Sequence, residues 1–300
     1  MTSNTRGILL AAGSSLAISN VYIFSKAALN EVHLAQFGVY WFGLGILWNL
    51  IYFFGFGKQK KAKTMKSRHW WSLLLISVLE MFSTLFFFLA IKTVETPAVV
   101  SFLANINPLF VVGLGIIVLK ERFNGIEFSG MAITLLGAVI ISITGVSLTQ
   151  SLFIDGTQYV VISGIIYSVA TLIAKKQMKD LDASYLATAR LIFLFLFSLI
   201  SIYYFELPFT IDRLPFINIA LGSVLGPFLG GMLGYMALKY IEMTKATMVR
   251  SVRSLFVLAG AFLYFGTLPS YWQIVGGLLT MSGVVLISLG KLKLGKKKIS

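Results

Sequence analysis

Cysteine is absent from the 300 residues, and there are only two histidines, His33 and His69. Disulfides, a thiol nucleophile and a thiolate metal site are therefore excluded, and little remains from which to build a metal centre or a catalytic triad. Charge is also scarce: 12% of residues are charged and 57% hydrophobic, with a mean hydropathy of +0.87. A soluble domain has roughly a quarter of its residues charged. Acid is rarer than base, at 11 against 25, which leaves a net charge of +14. In a soluble chain that excess would suggest nucleic acid. Here the bases lie in short runs between long apolar stretches, which is how topology is encoded in membrane proteins, so no nucleic-acid partner is expected.

What the chain does have is apolar stretches of bilayer length. A hydrocarbon core about 30 Å thick needs about 20 apolar residues of helix. Ten such spans are read, over residues 7–29, 34–56, 70–91, 97–119, 126–146, 158–175, 184–205, 216–238, 245–265 and 270–290. The fold class expected is an all-α membrane protein of ten transmembrane helices. The first span is too long for the hydrophobic region of a cleaved signal and is expected to stay as a helix. With both termini in the cytoplasm, nineteen bases fall in inside segments and two, Lys92 and Arg213, outside. Such asymmetry supports that orientation in an inner or plasma membrane. The basic stretch from Gly57 to His69 reads as an anchor toward anionic membrane lipids.

The two halves resemble each other, dividing the chain into repeats at 1–150 and 151–300. Ala90-Ile91-Lys92 and Glu95 match Ala237-Leu238-Lys239 and Glu242 at an offset of 147. At an offset of 146, Leu109-Phe110-Val111 matches Leu255-Phe256-Val257, and Gly130, Thr134 and Gly137 match Gly276, Thr280 and Gly283. Five spans per repeat is an odd number, so the repeats cross the membrane in opposite senses. Inverted repeats of this kind enclose a midplane site in secondary transporters.

Ala90-Ile91-Lys92, Asn107-Pro108-Leu109-Phe110, Leu119-Lys120-Glu121-Arg122-Phe123 and the Gly130 to Gly137 run resemble the repeat of the drug/metabolite transporter superfamily, in its EamA branch. The resemblance covers the whole chain as two five-helix units. It implies a transporter of amino acids or related metabolites, usually an exporter, without a cofactor. The second unit departs from the pattern at Ser254-Leu255-Phe256, which lacks the family proline, and at Thr267, where the first unit has Glu121.

Ionisable groups at membrane depth cost about 2.5–3.5 kcal/mol each, so each needs a partner or a wet cavity. Glu80 lies near the middle of the third span and could bind a substrate ammonium, carry a coupling proton or neutralise an arginine. Its repeat counterpart is Pro227. Arg250 and Arg253, three residues apart on one helix face, form a candidate carboxylate clamp. Asn107 is the counterpart of Arg253, and Trp41 offers an aromatic face. Lys26 and Arg190 lie near span ends, within reach of the interface, and Tyr40 or Trp41 stands where the second unit has Arg190. The candidate substrate residues are thus Glu80, Arg250, Arg253, Asn107, Trp41 and Arg190. Pro108, Gly226 and Pro227 are candidate hinges, because a proline frees a backbone carbonyl. Gly222, Gly226, Gly230 and Gly234 form a stripe that permits close helix approach.

The function expected is secondary transport of a small polar solute, best matched by a zwitterion such as an amino acid, probed against three alternatives. These are an organic-anion or phosphorylated-solute carrier, a quaternary-amine carrier, and a channel or membrane sensor. An enzyme is not expected, since no second acidic residue and no histidine lies deep in a span.

Overall fold

The computed structural model describes residues 3–56, 67–119, 124–143, 154–177, 183–230, 233, 236–237, 240–241, 249 and 251–297, and every regular element among them is helical. Helix α1 is Ser3–Leu29, α2 Leu34–Phe56 and α3 Ser67–Thr93. Next comes a broken helix: α4 Pro97–Leu103, a 3-10 turn Ala104–Ile106, and α5 Asn107–Leu119. Then follow α6 Gly125–Ile143, α7 Thr157–Gln177, α8 Ala183–Tyr204 and α9 Arg213–Ser223, the last continuing as a π-helical segment Val224–Gly230. Helices α10, Arg253–Phe265, and α11, Tyr271–Lys297, complete the described elements. Among the described residues six stretches are long and apolar enough to cross a membrane, and four shorter apolar helices fall at the remaining expected spans. Of the expected features, Lys120 to Phe123, Gly234, Lys239, Glu242 and Arg250 lie outside the described residues, as does most of the basic stretch after Gly57.

Local sequence sets the helix starts. Pro97 opens α4, where its missing N–H costs nothing. Reciprocal capping boxes start three other helices. In α6 the Glu127 N–H donates to Asn124 Oδ1 at 2.9 Å, and the Asn124 N–H donates to Glu127 Oε2 at 2.9 Å. In α11 the same exchange joins Ser270 and Gln273. The two boxes are counterparts at the repeat offset of 146, a correspondence the residue identities conceal. At α2 the His33 N–H donates to Gln36 Oε1 at 3.1 Å, and His33 Nδ1 accepts from the Ala35 N–H at 3.2 Å.

Packing reproduces the sequence repeat as a pseudo-two-fold arrangement. A Cβ on Gly130 would lie 2.7 Å from the Gly283 carbonyl oxygen, and one on Gly137 2.5 Å from that of Gly276. Gly130 corresponds to Gly276 and Gly137 to Gly283, so each glycine meets the counterpart of the other. Helices α6 and α11 therefore run antiparallel about an axis between Thr134 and Thr280, both fully buried. The same exchange holds elsewhere: α3 packs on α7 as α9 packs on α1, and α5 on α7 as α10 on α1. Ser163 Oγ donates to the Ser83 carbonyl at 2.8 Å, while Ser14 Oγ donates at 2.6 Å to that of Gly230, the counterpart of Ser83. The second unit's helix is also broken where the first is. Val252, counterpart of Ile106, is a turn residue just before α10, although Ser254 stands there instead of proline.

Turns expected on one side of the membrane gather at one end of the bundle. The His33 ring lies 5.4 Å from Phe205, Gln36 Nε2 donates to the Pro208 carbonyl at 2.8 Å, and Gly156 abuts Thr93 and Val94. Arg6, from an expected inside segment, stacks over the Tyr240 ring at 5.0 Å. Leu16, Leu47, Leu136, Ile200 and Leu263 project from the bundle, as a lipid-facing belt does, and Trp70, Trp71 and Trp272 are exposed near helix starts.

Two outcomes follow. Gly137→Ala and Gly283→Ala each cost about 1–3 kcal/mol from overpacking, read as a lower unfolding midpoint in detergent. Gly113→Ala, whose added Cβ meets nothing within 4 Å, leaves the midpoint in place. Burial, with a smaller effect from Lys92, holds the His33 imidazole below its usual 6.5. The native state then binds fewer protons than the unfolded one, so this contribution to stability is complete above about 6.5 and is lost as pH falls through the lower native value. The unfolding midpoint measured against pH should show that loss, and His33→Asn, a cap that does not titrate, should flatten it.

Candidate functional site

Glu80 occupies the midpoint of α3, as far from water along the helix as the chain can place it. Its Oε2 lies 3.4 Å from Nη1 of Arg190 on α8. The pair joins the first half of the chain to the second. An isolated charge at this depth would be costly, and mutual neutralisation removes most of that cost. Arg190, expected to reach for the interface, turns instead toward Glu80. The contact is long for a charge-assisted hydrogen bond, which prefers about 2.7–2.9 Å, and Arg190 Nε is buried without a partner among the described residues. The Arg190 side chain is 41% exposed and that of Glu80 17%.

The pseudo-symmetric position in the other half holds no ion pair. Trp41, in the place of Arg190, is 2% exposed. It stacks on Phe37 at 4.9 Å and lies directly against Gly222 in α9, one turn before Pro227, the counterpart of Glu80. Trp48 Nε1 donates to Ser223 Oγ at 3.0 Å on the same helix. Both tryptophans thus fill the α2–α9 seam. The glycine stripe is a close-approach surface as well: Gly226 abuts Val21, and Gly230 would place a Cβ 2.5 Å from Ile18. Over Val224–Gly230 the helix widens to the π form around Pro227, an irregularity that is often found at functional sites.

An aromatic wall runs along α3 from the ion pair. Phe88 meets Phe37 at 4.8 Å and Trp41 at 5.7 Å, and Phe87 meets Tyr22 at 5.2 Å. Arg253 lies within electrostatic range of Tyr22. Among the described residues Arg253 has no carboxylate partner, whereas Arg190 has Glu80. Asn107, counterpart of Arg253, points at Gly164 of α7, and its Oδ1 is buried without a partner.

The break before Pro108 is satisfied by the second half. Ser254 Oγ donates to the Ser101 carbonyl at 3.1 Å, and Thr280 Oγ1 to that of Phe102 at 3.3 Å. Asn105 Nδ2 bridges both hydroxyls at 3.3 and 3.2 Å. The sequence marks Ser254 as the place of a missing proline and Thr280 as a repeat position, but neither sign reveals their hydrogen bonds, and Asn105, two residues before the motif, carries no mark at all. Lys26, expected to reach outward, is 7% exposed and donates to the Lys92 and Val94 carbonyls at 2.9 and 2.8 Å, capping the end of α3. Among the described residues no cluster of three or more His, Asp or Glu could hold a metal ion.

A protein of known crystal structure shares the fold, with a TM-score of 0.65 at 15% identity over 97% of this chain and 99% of that one. A relative from Archaeoglobus fulgidus, described as an uncharacterized transporter, is 27% identical over 291 residues, covering 94% of this chain and 97% of that protein. The EamA-like transporter family matches residues 5–143 and again 155–289, once for each repeat. With both halves matched, the chain belongs to the EamA-like transporter family: it is a multi-pass membrane transporter and not an enzyme.

Proposed function

We propose that this transporter exports a small zwitterionic metabolite of the amino-acid class across the inner membrane, by alternating access of two inverted five-helix repeats. In this reading ten spans cross the bilayer, both termini are cytoplasmic, and Glu80 takes the solute ammonium while Arg190 takes its carboxylate. The observation that carries it is the Glu80–Arg190 pair, an acid and a base facing each other at mid-depth across the seam between the halves. The Arg190 side chain is 41% exposed and makes a single contact with Glu80, so part of the guanidinium stays open to a carboxylate.

The α2–α9 seam supplies an internal comparison. It does the equivalent structural work with Trp41 and glycine, so the fold does not need charges at this position, and a partly open ion pair adds little stability of its own. Function is the remaining reason to keep one. Pro108, Gly226 and Pro227 mark where the helices bend as access alternates.

Arg253 favours a second reading, an organic-anion or phosphorylated-solute carrier, because it lacks a carboxylate partner among the described residues. Competition against labelled alanine in proteoliposomes separates the two: neutral amino acids compete under the first reading, anions without an amine under the second. A hydrogen bond to a charged group contributes about 1.5–3 kcal/mol. Glu80→Gln and Arg190→Gln should therefore each lower kcat/KM for the zwitterion about ten- to a hundredfold, while the purified variants elute as folded, monodisperse protein. Wild-type kinetics in both would remove Glu80 and Arg190 from the site.

A further inference from the structure

We propose that the Glu80–Arg190 pair keeps the solute site electrically neutral whether or not it is loaded, so that this transporter returns unloaded and performs net export instead of obligatory exchange. The inference rests on the zwitterion reading and adds to it the mode of transport.

The argument concerns charge during reorientation. A carrier whose site holds a lone base carries an uncompensated charge through a low-dielectric closed state unless an anionic solute accompanies it. Such a carrier moves fast only when loaded in both directions, which makes it an exchanger. Here the acid and the base that would bind the solute are already each other's partners, with Arg190 Nη1 3.4 Å from Glu80 Oε2. A zwitterion entering between them replaces one neutral arrangement with another: ammonium on Glu80, carboxylate on Arg190, no change in net charge. Both states can then close.

Three features fit a pair that must separate and re-form. Its partners stand on different halves of the chain, on α3 and α8, so relative motion of the halves opens or shuts it. The contact is a single long one, not a two-bond clasp, and among the described residues Arg190 Nε has no competing partner to lose. On the other side of the pseudo-axis, Trp41 against Gly222 is apolar packing, which brings no charge to be compensated in either state.

The test uses proteoliposomes loaded with labelled alanine. Efflux is followed into buffer without amino acid and, separately, into buffer with excess unlabelled alanine. Net efflux within about threefold of exchange is expected for the wild type. Exchange at least tenfold faster than net efflux would overturn the inference and leave the zwitterion reading intact. Transport of N-acetylalanine or choline with no flux of alanine in either format would instead sink the zwitterion reading itself. Glu80→Gln is then assayed with N-acetylalanine, which keeps the carboxylate and lacks the ammonium. With Arg190 uncompensated when unloaded, exchange should exceed net efflux at least tenfold. Equal rates, or no flux of either kind in folded protein, would count against the proposal. The wild-type ratio decides the matter even where the variant proves unstable.

Discussion

No polar group inside a bilayer can be left to the solvent, and this constraint organises nearly everything observed in the bundle. Wherever a helix is interrupted, the freed carbonyls are met from another helix. The Ser101 and Phe102 carbonyls at the α4–α5 break accept from Ser254 and Thr280, and the end of α3 accepts from Lys26. The same rule selects small residues at the helix crossings. Without a hydrophobic force between helices in lipid, association depends on close contact, and Gly130, Gly137, Gly276 and Gly283 bring the α6 and α11 backbones together.

Much of the architecture was legible in sequence because its signals are compositional and periodic. Apolar length located the helices, and the Lys, Glu and Gly landmarks located the repeat, which the crossed glycine contacts then display in space. Less legible were correspondences carried by geometry and not by residue type. Asn124–Glu127 and Ser270–Gln273 are the same capping device in different letters. Ser254 gave no sign that a helix would be interrupted without proline, since its role depends on Ser101, 153 residues away in the chain.

The site was legible in part, and the reason is similar. Depth along a span marks Glu80 as a charge in need of a partner, but it does not say which arginine answers. Arg190 lies near the end of its expected span, and Arg253 lies deeper, so depth alone favours the wrong candidate for Glu80. Side-chain reach and helix adjacency decide instead: α3 packs on α8, and Arg190 on α8 reaches Glu80. Trp41 has an analogous history. Its aromatic face suggested a solute contact, and only the neighbouring Gly222 shows that the face is already occupied by packing.

The unequal use of equivalent positions is what a gene duplication followed by functional divergence permits. Two identical halves would place identical groups on both sides of the pseudo-axis, so a symmetric site could present like charges to a solute but could not easily present one acid and one base. A zwitterion requires the symmetry to be broken. Here it is broken at two pairs of counterparts: Glu80 against Pro227, and Arg190 against Trp41. The surrounding contacts, from the Ser14 and Ser163 hydroxyls to the crossed glycines, keep the two-fold arrangement. Under the proposed reading, symmetry retained in the scaffold would let the halves exchange conformations, while the acid–base asymmetry at the seams would give the solute site its polarity.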